Sequence, residues 1–164
     1  MRTVLITGPP GAGKSTVLTA LMNLLEADDA EYAAVEVEAL ALAHPWPGAD
    51  VAFAHLEVVA STYRSGGYPL LLVSATIEDA EYLRRVRDAL PSDDVLLVRL
   101  DAPPEVLRER LTRREPPDWV GLPRLLEAAG ELAASIAALP DVDLVLDTVD
   151  AEPGAVAATI RDAL

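Results

Sequence analysis

The chain has 164 residues, 51% of them apolar, with 27 acidic against 13 basic side chains and a net charge of −14. That length and apolar content fit one globular domain spanning 1–164, and the acidity argues against nucleic acid or an anionic membrane as partner. With no cysteine, disulfides and thiolate zinc sites are excluded, and no run nears the roughly 20 apolar residues of a membrane span.

Arg2–Thr7 (RTVLIT) is a short, β-branched apolar run that reads as a buried first strand. The chain opens directly onto it, which together with the lack of cysteine predicts a cytoplasmic protein. The strand runs into Gly8-Pro9-Pro10-Gly11-Ala12-Gly13-Lys14-Ser15-Thr16, and apolar residues at helical spacing follow over 15–27. Strand, glycine loop and helix with the spacing G-x-x-x-x-G-K-[ST] form a P-loop. Its glycines let successive backbone N–H groups turn inward around phosphate oxygens at a helix N-terminus. The Lys14 ammonium reaches the β- and γ-phosphates, and the Ser15 hydroxyl is the expected Mg²⁺ ligand. Lys14 is also the only lysine of the chain. ATP and Mg²⁺ are the cofactors this pattern predicts.

The second strand is expected at Tyr32–Val37. Glu36 and Glu38 stand two residues apart at its end, so strand periodicity puts both carboxylates on one face. Beside a P-loop, such a carboxylate can accept the proton of an acceptor hydroxyl or help hold Mg²⁺ through water. The plain alternative is a solvated strand end. A helix over 51–65, capped by Asp50 and closed by Gly66-Gly67, comes next. The segment 39–65 carries His44-Pro45-Trp46-Pro47, Phe53, His55, Tyr63 and Arg64. There Trp46 can stack a base or sugar face, with His55, Arg64 and Glu36 as further substrate contacts. Trp46 filling a core edge and His55 as an ordinary helix residue are the alternatives.

Further strands follow at Leu70–Ala75, Val95–Leu100 and Leu144–Leu146, with helices near 79–90, 104–114, 123–138 and 154–163. Five apolar strands alternating with helices predict an α/β protein whose parallel sheet is covered on both faces, with ligands outside the strands' carboxyl ends. In the 104–114 helix Glu109 and Arg113 form an i, i+4 pair, whereas Arg110 and Arg114 stand i, i+4 to each other and neither has an acid three or four residues before it. Followed by Pro116-Pro117 and Trp119-Val120-Gly121, they read as a phosphate-clamping lid over 108–122. A solvated basic helix face is the alternative.

On these residues the chain resembles the small P-loop kinases related to gluconate, shikimate, adenylyl-sulfate and nucleoside or nucleotide kinases. It is especially similar to ATP-binding proteins of high-GC bacteria. The resemblance spans nearly the whole chain and implies a three-layer, nucleotide-kinase-like fold and ATP use. It places Glu38 at the usual catalytic Asp position, the acceptor-binding region in the segment 39–65, Arg110 and Arg114 at the lid arginines, and Asp147-Thr148 at the turn that passes the adenine. Strand three departs from the pattern, offering Ser74 and Thr76 where a Walker B carboxylate is usual. The resulting expectation is an ATP-dependent kinase, monomeric or homodimeric, acting on a small hydroxyl compound. No multi-arginine anion trap is evident, so a neutral acceptor is expected over a multiply acidic one. The alternative is a nucleotide-binding switch or slow NTPase.

Overall fold

A computed structural model describes residues 1–92 and 94–164. Five strands form one parallel sheet: β1 (Arg2–Thr7), β2 (Tyr32–Glu36), β3 (Leu70–Ala75), β4 (Val95–Asp101) and β5 (Leu144–Asp147), in the order β2-β3-β1-β4-β5. Helices α1 (Lys14–Ala27), α2 (Ala49–Ser65), α3 (Ala80–Ala89), α4 (Pro104–Arg114), α5 (Leu122–Ala137) and α6 (Pro153–Arg161) cover it. The α/β, three-layer expectation therefore holds.

The alternation of strand side chains sorts the core into two layers. Leu5, Val35, Leu71 and Val73 face α2, α3 and the end of α5. Val4, Ile6, Leu72 and Val98 face α1 and α6. The middle strands β1 and β3 are buried on both faces, hence their unbroken apolar runs. Edge strand β5 alternates instead, with Val145 facing out. The strand order reverses about β1, and the crevice at its carboxyl end holds the P-loop.

Two expectations at the acceptor edge are corrected. β2 ends at Glu36, where its register with β3 stops at the Glu36–Ser74 pair, and Val37–Ala41 forms a 3₁₀ helix. Val37 is buried and turns the chain, so Glu38 sits on that helix rather than on the strand. Helix α2 starts at Ala49 after Gly48, so Asp50 lies in its first turn and pairs with Arg85 at 2.6 Å instead of capping it. The helix stops where expected: Gly66 N–H donates to Thr62 and Gly67, at φ +88°, donates to Arg64.

Candidate active site at the carboxyl edge of the sheet

The P-loop leaves β1 through Gly8 and enters α1 after Gly13. The two glycines are needed for different reasons. A Cβ on Gly8 would lie 2.7 Å from the Leu100 carbonyl oxygen, so the loop packs too closely on β4 for any side chain. A Cβ on Gly13 would meet nothing within 4 Å, but its φ of +95° favours glycine. Lys14 then opens α1 and donates to its own loop, Nζ to the Gly8 carbonyl at 2.9 Å. Burial holds the Lys14 ammonium below its ordinary pKa and Arg114 adds to this, while Glu38 and Glu36 oppose it. A charged lysine desolvated among backbone amides is primed to gain from an arriving phosphate.

Two cavities flank this loop. One, of about 330 Å³, is an apolar slot bounded by Val17, Leu111, Pro153 and Val156, with Arg110 and Thr148 on its rim. The other, also about 330 Å³, is polar and is lined by Lys14, Ser15, Glu36, Glu38, Thr76 and Arg114. Gly11, Gly13, Thr16 and Arg114 line both. An apolar slot and a polar trough joined across a P-loop match the two ends of a nucleoside triphosphate, a flat base and a charged phosphate tail.

The lid arginines are separated by the structure. Both were read as uncompensated, and neither is. Arg110 donates to the Thr148 hydroxyl at 2.9 Å, the Thr148 carbonyl at 2.6 Å and the Gly11 carbonyl at 3.3 Å, which ties α4 to the P-loop and to the β5–α6 turn. It borders the apolar slot and not the polar trough. Arg114 reaches both cavities and is ion-paired with Glu115 at 2.6 Å. Side chains at i and i+1 diverge within a helix, but Glu115 lies just past the helix end, free of that rule. Of the next predicted pair, Thr148 is buried on the slot rim, whereas Asp147 turns away. Its Oδ1 accepts from the Val149 N–H at 2.7 Å, and it lines a separate cavity beside Asp101 and α5.

On the polar side Glu36 and Glu38 take distinct positions. Glu36 Oε2 accepts from the Ser15 hydroxyl at 2.5 Å, so it stands at the expected metal ligand. Ser74, its register partner on the same sheet face, has a fully buried hydroxyl with no hydrogen-bond partner among the described residues. Glu38 Oε1 accepts from the Thr76 backbone N–H at 2.5 Å, its second oxygen has no hydrogen-bond partner among the described residues, and the residue lines the trough.

A third cavity, of about 310 Å³, adjoins this carboxylate. It is walled by the 3₁₀ helix, Trp46, the start of α2, Thr76, Glu78 and Tyr82. Glu38 and Thr76 line this cavity and the polar trough alike, so they form a wall common to both. Trp46 is 69% exposed at its mouth and so fills no core edge. Burial, with Glu38 and Glu78 nearby, pushes the Tyr82 hydroxyl up to about 12, so it stays a neutral donor. His55 lines none of the three cavities. Its Nδ1 is 2.6 Å from the Leu40 carbonyl, tying α2 to the 3₁₀ helix. Arg64 is far from the site and donates to the Pro91 carbonyl ahead of β4. The reason is geometric: α2 starts at the sheet's carboxyl edge, and its 17 residues at about 1.5 Å each carry Arg64 to the opposite edge. Glu78 and Tyr82 were missed. The strand-end rule pointed at Ser74 and Thr76; extending it two residues reaches Glu78, and Asp79, whose carboxylate caps the Tyr82 N–H at 2.8 Å, marks the turn that brings Tyr82 in.

A family model described as an AAA domain matches residues 4–128. No curated protein matches the sequence. Similar solved structures include an unliganded sugar kinase from Janibacter sp., 21% identical over 99% of this chain and 93% of that one, at a TM-score of 0.65. Another is the Mycobacterium tuberculosis APS kinase in complex with AMPPNP and APS, 19% identical over 98% and 95%, at 0.68. A third is the Acinetobacter baumannii shikimate kinase with shikimate, 20% identical over 99% and 92%, at 0.60. At these identities the likeness establishes a small P-loop kinase fold.

Proposed function

We propose, on the premise that this chain belongs to the AAA domain family and has the fold of the small P-loop kinases, that it transfers the γ-phosphoryl group of ATP to a small hydroxyl compound in the cytoplasm. The observation that carries this reading is the shared wall: Glu38 and Thr76 line both the phosphate trough and the neighbouring cavity. A group held over Lys14 and a hydroxyl held in that cavity meet at Glu38.

Each residue then has a task. The slot between Arg110, Thr148 and Pro153 takes the base. The loop amides and Lys14 hold the phosphates. The acceptor oxygen forms a new bond to the γ-phosphorus as the bond from phosphorus to the ADP oxygen breaks. The hydroxyl proton passes to the open oxygen of Glu38. Arg114, on the phosphate trough, neutralises charge on the transferring group. Oxygen donors suit a hard cation. The Ser15 hydroxyl, the adjacent Glu36 carboxylate and the unpartnered Ser74 hydroxyl therefore fit Mg²⁺. When bound, Mg²⁺ supplies charge neutralisation at the phosphate oxygens. Among the described residues no group of three acidic, histidine or cysteine side chains is placed to hold a metal ion. Strand three lacks a carboxylate, the feature that favours a switch or slow NTPase; Glu36 at 2.5 Å from Ser15 supplies a carboxylate beside the expected metal ligand and removes that ground.

The direct test is ADP release from ATP with and without a panel of hydroxyl compounds. Stimulation by at least one acceptor class, lost in Glu38→Gln, is the expected result; an acceptor-independent rate that no compound raises would favour the NTPase.

A further inference from the structure

The cavity beyond Glu38 has an uneven charge pattern. Two carboxylates, Glu38 and Glu78, line it, and no basic side chain does. The nearest guanidinium groups are otherwise engaged. Arg85 is paired with Asp50 at 2.6 Å and stacked 4.3 Å over the Phe53 ring. Arg114 stands on the phosphate trough and pairs with Glu115 at 2.6 Å. Glu78, by contrast, has no ion-pair or side-chain hydrogen-bond partner among the described residues. Across the same cavity Trp46 presents an indole that is 69% exposed and packs on no core cluster.

An indole face beside a free carboxylate, with no cation in the wall, attracts positive charge twice over. The ring quadrupole binds an ammonium, and the carboxylate forms a charge-assisted hydrogen bond with it. A carboxylated or phosphorylated acceptor would meet the reverse: two like charges and no donor fork, in a protein of net charge −14. We infer that the acceptor is a cationic hydroxyl compound, an amino alcohol or amino sugar whose ammonium group sits between Glu78 and Trp46 while its hydroxyl lies at Glu38. The inference rests on the kinase reading and narrows it, since a neutral acceptor leaves Glu78 unused. The amine takes no part in the chemistry: the proton lost in transfer is the hydroxyl's, and it goes to Glu38.

Trp119 is the only other tryptophan, so Trp119→Phe leaves Trp46 as the sole indole emitter at the cavity mouth. This protein, saturated with AMPPNP and Mg²⁺, is titrated with two matched triplets while its emission is followed. One is 2-amino-1-phenylethanol, its N-acetyl derivative and mandelate. The other is glucosamine, N-acetylglucosamine and glucuronate. The amine member of at least one triplet should bind about tenfold or more tighter than its acetylated and acidic partners, the usual scale of one charge-assisted contact. Glu78→Gln should erase that preference, with AMPPNP titration verifying that the variant folds. Tighter binding of the neutral or acidic members, no binding by any amine at tens of millimolar, or a preference that survives Glu78→Gln overturns the inference. ADP release separates the two levels. Faster transfer to an acid than to its amine partner sinks the cationic acceptor and keeps the kinase. A Glu78-dependent amine preference, without ADP release above the ATP-only rate from a broad amino-alcohol library, sinks the kinase and keeps a cation pocket.

Discussion

The nucleotide side and the acceptor side of this sheet edge are anchored very differently. On the nucleotide side each wall is tied into a core layer. Gly8 lies against the β4 backbone, Leu107 and Leu111 of α4 are fully buried behind Gly11, and Arg110 bonds loop to turn. On the acceptor side the wall is the 3₁₀ helix and the turn after it, where Leu42 is 83% and Trp46 69% exposed. The polar groups there, Glu38 and Glu78, are exposed as well. The phosphate-loop side rests on packing that cannot shift cheaply, whereas the side proposed to hold the acceptor rests on side chains that pack on little.

Glu38→Gln tests where the two sides meet and carries the largest expected effect. Turnover should fall by on the order of 10²–10⁴-fold with ATP affinity nearly unchanged. Turnover kept at the wild-type level with a verified acceptor would leave Glu38 a solvated wall residue. Partial rescue by added Mg²⁺ would move it to a metal-supporting role.

Lys14→Ala strikes the nucleotide side alone. A loss of roughly 10²–10³-fold in turnover is expected, the scale for removing one preorganised charge partner. Because burial already disfavours the Lys14 ammonium, the unfolding temperature should hardly move or rise slightly as desolvation is relieved and one hydrogen bond is lost. A large drop in melting temperature would show that the lysine is a structural tie.

Gly8→Ala asks whether the nucleotide side is as rigid as its packing suggests. With a Cβ 2.7 Å from the Leu100 oxygen and 3.1 Å from the Ala12 Cβ, backbone has to shift. A destabilisation of about 1–3 kcal/mol is expected, read as a lower denaturant midpoint at unchanged slope. The smallest effect belongs across the site. Trp46→Ala should change stability by no more than about 0.5 kcal/mol, as exposed positions do, while raising KM for the acceptor and leaving KM for ATP alone. A Trp46 variant that melts early would erase the contrast between the two sides.

Much of this site is legible without coordinates, and the legible part has a common property: it is local. The P-loop is nine contiguous residues between a strand and a helix. Buried strands announce themselves as apolar runs because both faces are covered. The bounds of α4 follow from Pro104 and from Pro116-Pro117. What the tertiary structure alone decides is how separate segments meet. Arg110 and Arg114 are equivalent by helical spacing, yet the β5–α6 turn captures one at Thr148, and Glu115 past the helix end pairs the other. Glu36 and Glu38 read as one face of one strand, but pairing with β3 ends at Ser74 and the 3₁₀ helix sends Glu38 to the Thr76 amide. Arg64 sits in the acceptor segment by sequence and at the far edge of the sheet in space, because a helix antiparallel to its strands moves its ends apart. Residue type and spacing determined a nucleotide-binding α/β chain; which side chains share a cavity depended on strand register and helix direction, set by packing between elements distant in sequence.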